Sequence, residues 1–165
     1  MTDASVGGFE MTADMRRVVE EQRLGFVASV CPDGTPNLSP KGTTSVWDDH
    51  HLVFADIRSP RTVRNVRSNP WVEVNVVDPV SRRGYRFKGT ARVLEGDEHE
   101  AGIRFFETGE RAVSGARERI DHVVLVQVSS AAPVTSPSYD VGATEESLRA
   151  RWRAYFERLW SGETS

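Results

Sequence analysis

Between Ser59 and Pro70 the chain reads SPRTVRNVRSNP, and together with Arg58 it sets arginines at positions 58, 61, 64 and 67. Steps of three advance about 300° around an α-helix, so the guanidinium groups form a slowly drifting stripe. Ser59 is a natural N-cap, Pro60 takes the first helical position, where its missing N–H costs nothing, and Asn69-Pro70 ends the helix. A helix N-terminus offers unpaired N–H groups and a partial positive charge. With Arg61 in its first turn and the hydroxyls of Ser59 and Thr62 alongside, this stretch can hold a phosphate monoester. The same stripe could simply face water and neighbouring carboxylates. Nucleic acid is the rival ligand, because Arg82, Arg83, Arg86 and Arg92 add positive charge further along. The formal net charge of -3 opposes a long polyanion, and no aromatics alternate with the arginines as stacking platforms. The expected partner is therefore a small molecule and not nucleic acid.

Other chemistry is sparse. His50 and His51 adjoin Asp48 and Asp49, but adjacent histidines in a strand turn point in different directions, so no metal site is expected. Nucleophile elbow, P-loop and dinucleotide glycine fingerprint are all missing from the sequence, and an enzyme built on this chain would take its chemistry from a cofactor. Cys31 stands alone, which excludes an intrachain disulfide and fits a reducing compartment. No apolar run approaches the roughly 18 residues of a membrane span, and MTDASVGGFE lacks the features of a secretory signal. A cytoplasmic protein with no membrane partner is expected.

The elements that must position the stripe follow from periodicity. At 165 residues the chain suits one domain spanning 1–165, with about the first eight residues frayed. Thr12 caps a first helix carrying Met15, Val18 and Val19. Leu24 to Val30 alternates as a strand, and CPDGTP brings the Asp-Gly signal of a hairpin. A second strand runs through NLSPKGTTSVW, interrupted or bulged near Pro40 and Gly42. DDHH turns the chain into the strand LVFAD (52–56). After the arginine helix, of about three turns, WVEVNVV (71–77) and GYRFKGTARVL (84–94) are strands of a hairpin. Asp97 caps a helix with Ile103 and Phe106 inward, and DHVVLVQV (121–128) is the last strand. Ala131 to Gly142 reads as a loop. Thr144 opens a C-terminal helix, 144–160, with Leu148, Trp152, Phe156 and Leu159 on one face that needs a partner surface. Antiparallel strands with inserted helices predict an α+β, mainly β chain closed as a small barrel.

The order of these residues resembles a known family. Leu24 to Val77, and more loosely RRGYRFKGTARVL to Leu94, is similar to the pyridoxamine-phosphate-oxidase-like, FMN-binding split-barrel family, through the Asp-Gly hairpin, the strand ending at VFAD and the basic helix closing on Asn-Pro. The resemblance implies a six-stranded antiparallel split β-barrel with peripheral helices, a homodimer, and FMN at the subunit interface. It assigns cofactor contacts to Lys41, Gly42, Thr43 and Thr44, to Ala55 and Asp56, and to Ser59, Arg61, Thr62 and Asn65, with Arg61 on the phosphate. True pyridoxamine-phosphate oxidases carry lysine at the position of Thr62, glutamine at that of Gly84, and an arginine and histidine unmatched in AYFERLWSGETS. These departures point to the broad flavoprotein branch, some members of which bind a deazaflavin or haem. The function implied is an FMN-dependent oxidoreductase acting on a small organic molecule. A deazaflavin-dependent reductase and a flavin-binding protein without turnover are the alternatives, and no catalytic residue is assigned.

Overall fold

A computed structural model describes residues 8–108 and 112–162; the frayed start expected for the first residues lies almost wholly outside them. Thr12 caps α1 (Ala13–Gln22) as expected, its hydroxyl accepting from the Met15 N–H. The Asp-Gly hairpin joins β1 (Gly25–Val30) to β2 (Pro36–Lys41). Asp33 accepts from the Thr35 N–H at 3.0 Å, and Gly34 takes the φ of 83° that the turn requires.

The second strand is interrupted near Gly42, as expected. It stops at Lys41 and resumes only as β3 (Ser45–Val46), two residues paired with β4 (His51–Asp56). Then come α2 (Pro60–Ser68), β5 (Trp71–Asp78), β6 (Arg83–Val93), α3 (Gly96–Glu107), α4 (Ala116–Arg119), β7 (His122–Thr135) and α5 (Glu145–Ser161). The strands form one antiparallel sheet in the order β2-β1-β5-β6-β7-β4-β3. Its two edge strands are joined through Gly42 to Thr44 alone, a link that reaches at most about 14 Å. The sheet must therefore curl until its edges meet. Thr43 closes the seam: its hydroxyl accepts from the Ala55 N–H at 2.9 Å and donates to the Ala55 carbonyl at 3.2 Å, replacing the missing ladder bonds. Six long strands build the expected α+β split barrel, and β3 is a short seventh.

Two expectations are corrected. The cap of α3 is Glu95, and Asp97 lies inside the first turn, although Ile103 and Phe106 are buried as read. The stretch 131–142 is not all loop, since β7 continues to Thr135 and pairs with β6. Only residues 122–127 of β7 pair with β4. Beyond them one side of the strand is free, so Pro133, opposite Tyr85, costs no ladder bond there.

Val27, Phe54, Val74, Phe87 and Val126 fill the barrel interior. The outer faces of β4 and β7, with Val53, Ala55, Val123 and Leu125, are covered by Ile103, Phe106, Ala116 and Ile120 of the helical segment. Burial on both faces explains the unbroken apolar runs LVFA and VVLV, where WVEVNVV alternates. The outer face of β1, β2 and β5 stays bare, with Phe26, Leu38 and Trp71 at 41%, 65% and 53% exposure. On α5, Thr144 forms a capping box and Leu148 is buried, and the Arg82 guanidinium lies 3.4 Å from the Trp152 ring centroid. Leu159 and Trp160 remain exposed. In the chain as described, no helix is long and apolar enough to cross a membrane.

Candidate functional site

The arginine helix turns its charges away from the barrel. Arg61, Arg64 and Arg67 are exposed, whereas Thr62, Val63, Asn65 and Val66 form the buried face. Arg67 approaches Glu95 at 4.0 Å; Arg58, Arg61 and Arg64 make no ion pair with a described residue. Ser59 holds the N-cap position and Pro60 the first turn, as the sequence predicts. The Ser59 side chain makes no capping bond, however. Asp56, 2% exposed at the end of β4, instead accepts the Ser59 N–H on Oδ1 at 2.7 Å and brings a carboxylate to the start of α2. The Ser59 hydroxyl lies 3.4 Å from that of Ser39 on β2.

The break between β2 and β3 supplies the second side. Lys41 is 4% exposed, its Nζ buried without a hydrogen-bond partner and 5.5 Å from the Phe54 ring centroid. Burial pulls its pKa below the ordinary lysine value, and the nearby Asp56 charge offsets only part of that. Thr44 donates to the Lys41 carbonyl at 2.9 Å and packs where a side chain on Gly25 would stand, 2.5 Å from an added Cβ. Gly42 is exposed at the tip of this turn, and Ala55 is buried opposite Thr43.

Asn65 forms the third side. It is 1% exposed; its Nδ2 donates to Ser29 Oγ at 3.0 Å and lies 3.5 Å from Cys31 Sγ, while Asn37 donates to the same Ser29 oxygen at 3.3 Å. Among the described residues, the buried side-chain polar atoms with no partner are Lys41 Nζ, Thr62 Oγ1, Asn65 Oδ1, Arg82 Nε and His122 Nδ1. Buried polar groups are ordinarily satisfied. All of these except Arg82 belong to α2, to Lys41 or to the neighbour of Asp56, so the unmet hydrogen-bonding capacity follows α2 and the strands it packs against. One ammonium, a hydroxyl, an amide oxygen and an imidazole nitrogen, beside a helix N-terminus flanked by Arg61, suit a ligand that is anionic at one end and rich in donors and acceptors elsewhere.

A family model described as pyridoxamine 5'-phosphate oxidase matches residues 11–133. The chain belongs to the pyridoxamine 5'-phosphate oxidase family. Among solved structures, HupZ of Group A Streptococcus is similar at 28% identity, covering 76% of this chain and 95% of that one, with a TM-score of 0.65. A structure named F420 reductase matches at 22% identity, covering 74% of this chain and 98% of that one (TM-score 0.59). An FMN-binding protein from Syntrophomonas wolfei subsp. wolfei matches at 12% identity, covering 74% and 90% (TM-score 0.56); these two likenesses concern the fold. No curated protein matches the chain.

The structure gives physical reasons for two of the chain's departures from the pyridoxamine-phosphate oxidases it resembles. Thr62 is 1% exposed, so a lysine there would bury an ammonium beside Arg61's helix turn. At Gly84 an added Cβ would stand 2.0 Å from the Val76 carbonyl oxygen, so neither glutamine nor any other side chain fits without moving β5. Ser29, Asn37, Ser39 and His122 border the site and escaped the sequence reading. Ser29 left a signal, being a polar residue in the buried phase of β1 with Gly25 and Val27. His122, at the start of β7, left none.

Proposed function

We propose that this chain binds FMN at the α2 end of the barrel and acts, as a homodimer, as an oxidoreductase on a small organic molecule. The observation that carries this reading is the group of buried, unpartnered polar atoms on Lys41, Thr62 and Asn65 around a helix N-terminus. Their hydrogen-bonding character suits a flavin mononucleotide. The phosphate falls to Arg61, Ser59 and Thr62 at the first turn of α2, where the Arg61 guanidinium, the side-chain hydroxyls and the helix dipole favour a dianion; the Ser59 and Thr62 N–H groups are already held by Asp56 and the Ser59 carbonyl. Asn65, Lys41 and the Gly42–Thr44 turn meet the polar remainder of the molecule, with Ala55 and Asp56 forming the wall on the β4 side. When bound, the isoalloxazine ring would supply the transfer of electrons between two small molecules. The protein supplies placement, charge and exclusion of water.

Family membership and the likeness to an FMN-binding protein support FMN, and the likeness to an F420 reductase supports the second reading, a deazaflavin on the same fold. The absorbance spectrum of protein purified without added cofactor separates them. Oxidised-flavin bands are expected; a single deazaflavin band would favour the second reading, and colourless protein that takes up no FMN would overturn both. Turnover of reduced flavin with a panel of acceptors then distinguishes an enzyme from a flavin-binding protein.

The homodimer rests on exposed apolar surface. Phe26, Leu38 and Trp71 stand together on the bare face of β1, β2 and β5, beside a groove of about 390 Å³ between the β1–β2 turn and β5. A face of this kind is rarely left to water. Sedimentation is expected to give a dimer at micromolar concentration, and Leu38→Asp should shift it toward monomer.

A further inference from the structure

β4 ends where β7 begins. Asp56 and His122 are direct cross-strand partners, so their side chains leave the same face of the sheet, and the Asp121 N–H donates to the Asp56 carbonyl at 3.0 Å and fixes the two strand ends together. One oxygen of the Asp56 carboxylate is committed to the Ser59 N–H. The other, Oδ2, lies 3.6 Å from His122 Nδ1, close enough for an ion pair and too far for a hydrogen bond. That nitrogen is buried with no hydrogen-bond partner, although a third of the His122 side chain is exposed, so the ring edge away from Asp56 faces outward. A small rotation of the ring about χ2, a torsion that is soft in histidine, completes the bond. The ammonium of Lys41, buried and unpartnered, feels the charge of the same carboxylate.

A carboxylate with one free oxygen, beside an imidazole and under the pull of a bare ammonium, has two choices. Captured by Lys41, it would neutralise that buried ammonium and loosen its hold on the N-terminus of α2. Held by His122, it leaves that ammonium available to a ligand. We propose, building on the FMN reading above, that His122 is a positioning residue of this site. Its Nδ1–H donates to Asp56 Oδ2, keeps Oδ1 on the Ser59 N–H, and so keeps Lys41 free for an anionic or carbonyl-bearing ligand. No comparison and no sequence motif assigns this residue a role.

The two parts of the inference are read separately. Long-range ¹H–¹⁵N NMR of the protein without added ligand should show neutral His122 protonated on Nδ1; protonation on Nε2 instead would overturn the proposal whatever the protein binds. In FMN titrations, His122→Leu should weaken affinity about tenfold at unchanged thermal midpoint. His122→Asn places an amide N–H where Nδ1 stands and should restore affinity to within about threefold. An asparagine variant as weak as the leucine variant would mean that the ring merely fills space, and would also overturn the proposal. Wild-type protein that binds no FMN yet shows the Nδ1–H tautomer would sink the flavin reading and support the His122–Asp56 contact.

Discussion

Two polar clusters flank the barrel, and they are built on opposite terms. Around Asp78 the β5–β6 turn meets α1 and α5, and nearly every charge has found a partner. Tyr85 donates to Asp14 at 2.5 Å, Arg17 bridges Asp14 and Glu21, Arg83 and Arg149 share Glu145, and Arg149 reaches Asp78 at 3.0 Å. What space remains there is about 70 Å³. At the α2 end there are fewer charges, and Lys41, Thr62, Asn65 and His122 each keep a buried atom unsatisfied. A network this nearly saturated, with the Arg82 Nε of the turn its unmet buried atom among the described residues, is structural, because it gains little by admitting a ligand. An unsaturated one costs stability until something binds. Paired charges therefore mark one cluster as structural, and unmet hydrogen bonds mark the other as the candidate site.

Asp78→Ala is the strongest way to break this comparison. Burial pushes the Asp78 carboxyl up, but hydrogen bonds from Ser81 and the Val80 N–H and the charge of Arg149 outweigh it and hold the pKa below 3.8. Losing the carboxylate strands those donors, and a loss of about 2–3 kcal/mol in urea unfolding is expected. FMN affinity of the folded protein should not change. Because the folded pKa is depressed, the wild-type advantage is complete above the ordinary carboxyl value and disappears as pH falls through the folded one. A variant as stable as wild type would show that the cluster is not structural.

Arg61→Ala probes the other cluster. Removing a charge-assisted bond to a phosphate should weaken FMN by about ten- to a hundredfold, equivalent to about 1.5–3 kcal/mol. Riboflavin, which has no phosphate, should bind both proteins alike, and Arg67→Ala, near the helix C-terminus, should barely matter. Fluorescence titration of both ligands decides it, and equal losses for the two would misplace the phosphate.

Lys41→Met sharpens the contrast by moving stability and binding in opposite directions. Stability should rise by about 1 kcal/mol as an unpartnered buried ammonium is removed, while FMN affinity falls. The pKa of Lys41 is depressed by burial, so its cost is complete below the folded pKa and vanishes as pH rises toward 10.5. The stability gap between variant and wild type should narrow over that range; a destabilised variant would mean that the amine is already paired. The smallest effect is expected from Tyr85→Phe. The Tyr85 hydroxyl, followed by Arg17, holds the Asp14 carboxyl below 3.8, but the carboxylate side chain is 53% exposed. Solvent screening leaves about 0.5 kcal/mol, present above the ordinary carboxyl value and lost in acid, seen as a slightly higher midpoint of acid unfolding.

Much of the architecture was legible because its signals are local. The Asp33-Gly34 turn, the caps at Thr12 and Thr144, Pro60 at the head of α2 and the apolar runs buried on both faces each depend on neighbours a few residues away. The arginine spacing likewise specified one face of a helix, and the family resemblance, not the spacing, named Asn65. Which face meets the barrel was beyond it. Asn65 owes its half-satisfied amide to Ser29, 36 residues away, and Thr43 seals the barrel on Ala55, 12 residues on. The break after Lys41 arises because edge strands on opposite sides of the sheet must be joined, and Pro133 sits in a strand only because β4 is too short to cover it. A residue's type sets how many hydrogen bonds it can make; whether they are made is decided by groups distant in sequence, and only the tertiary structure brings those together.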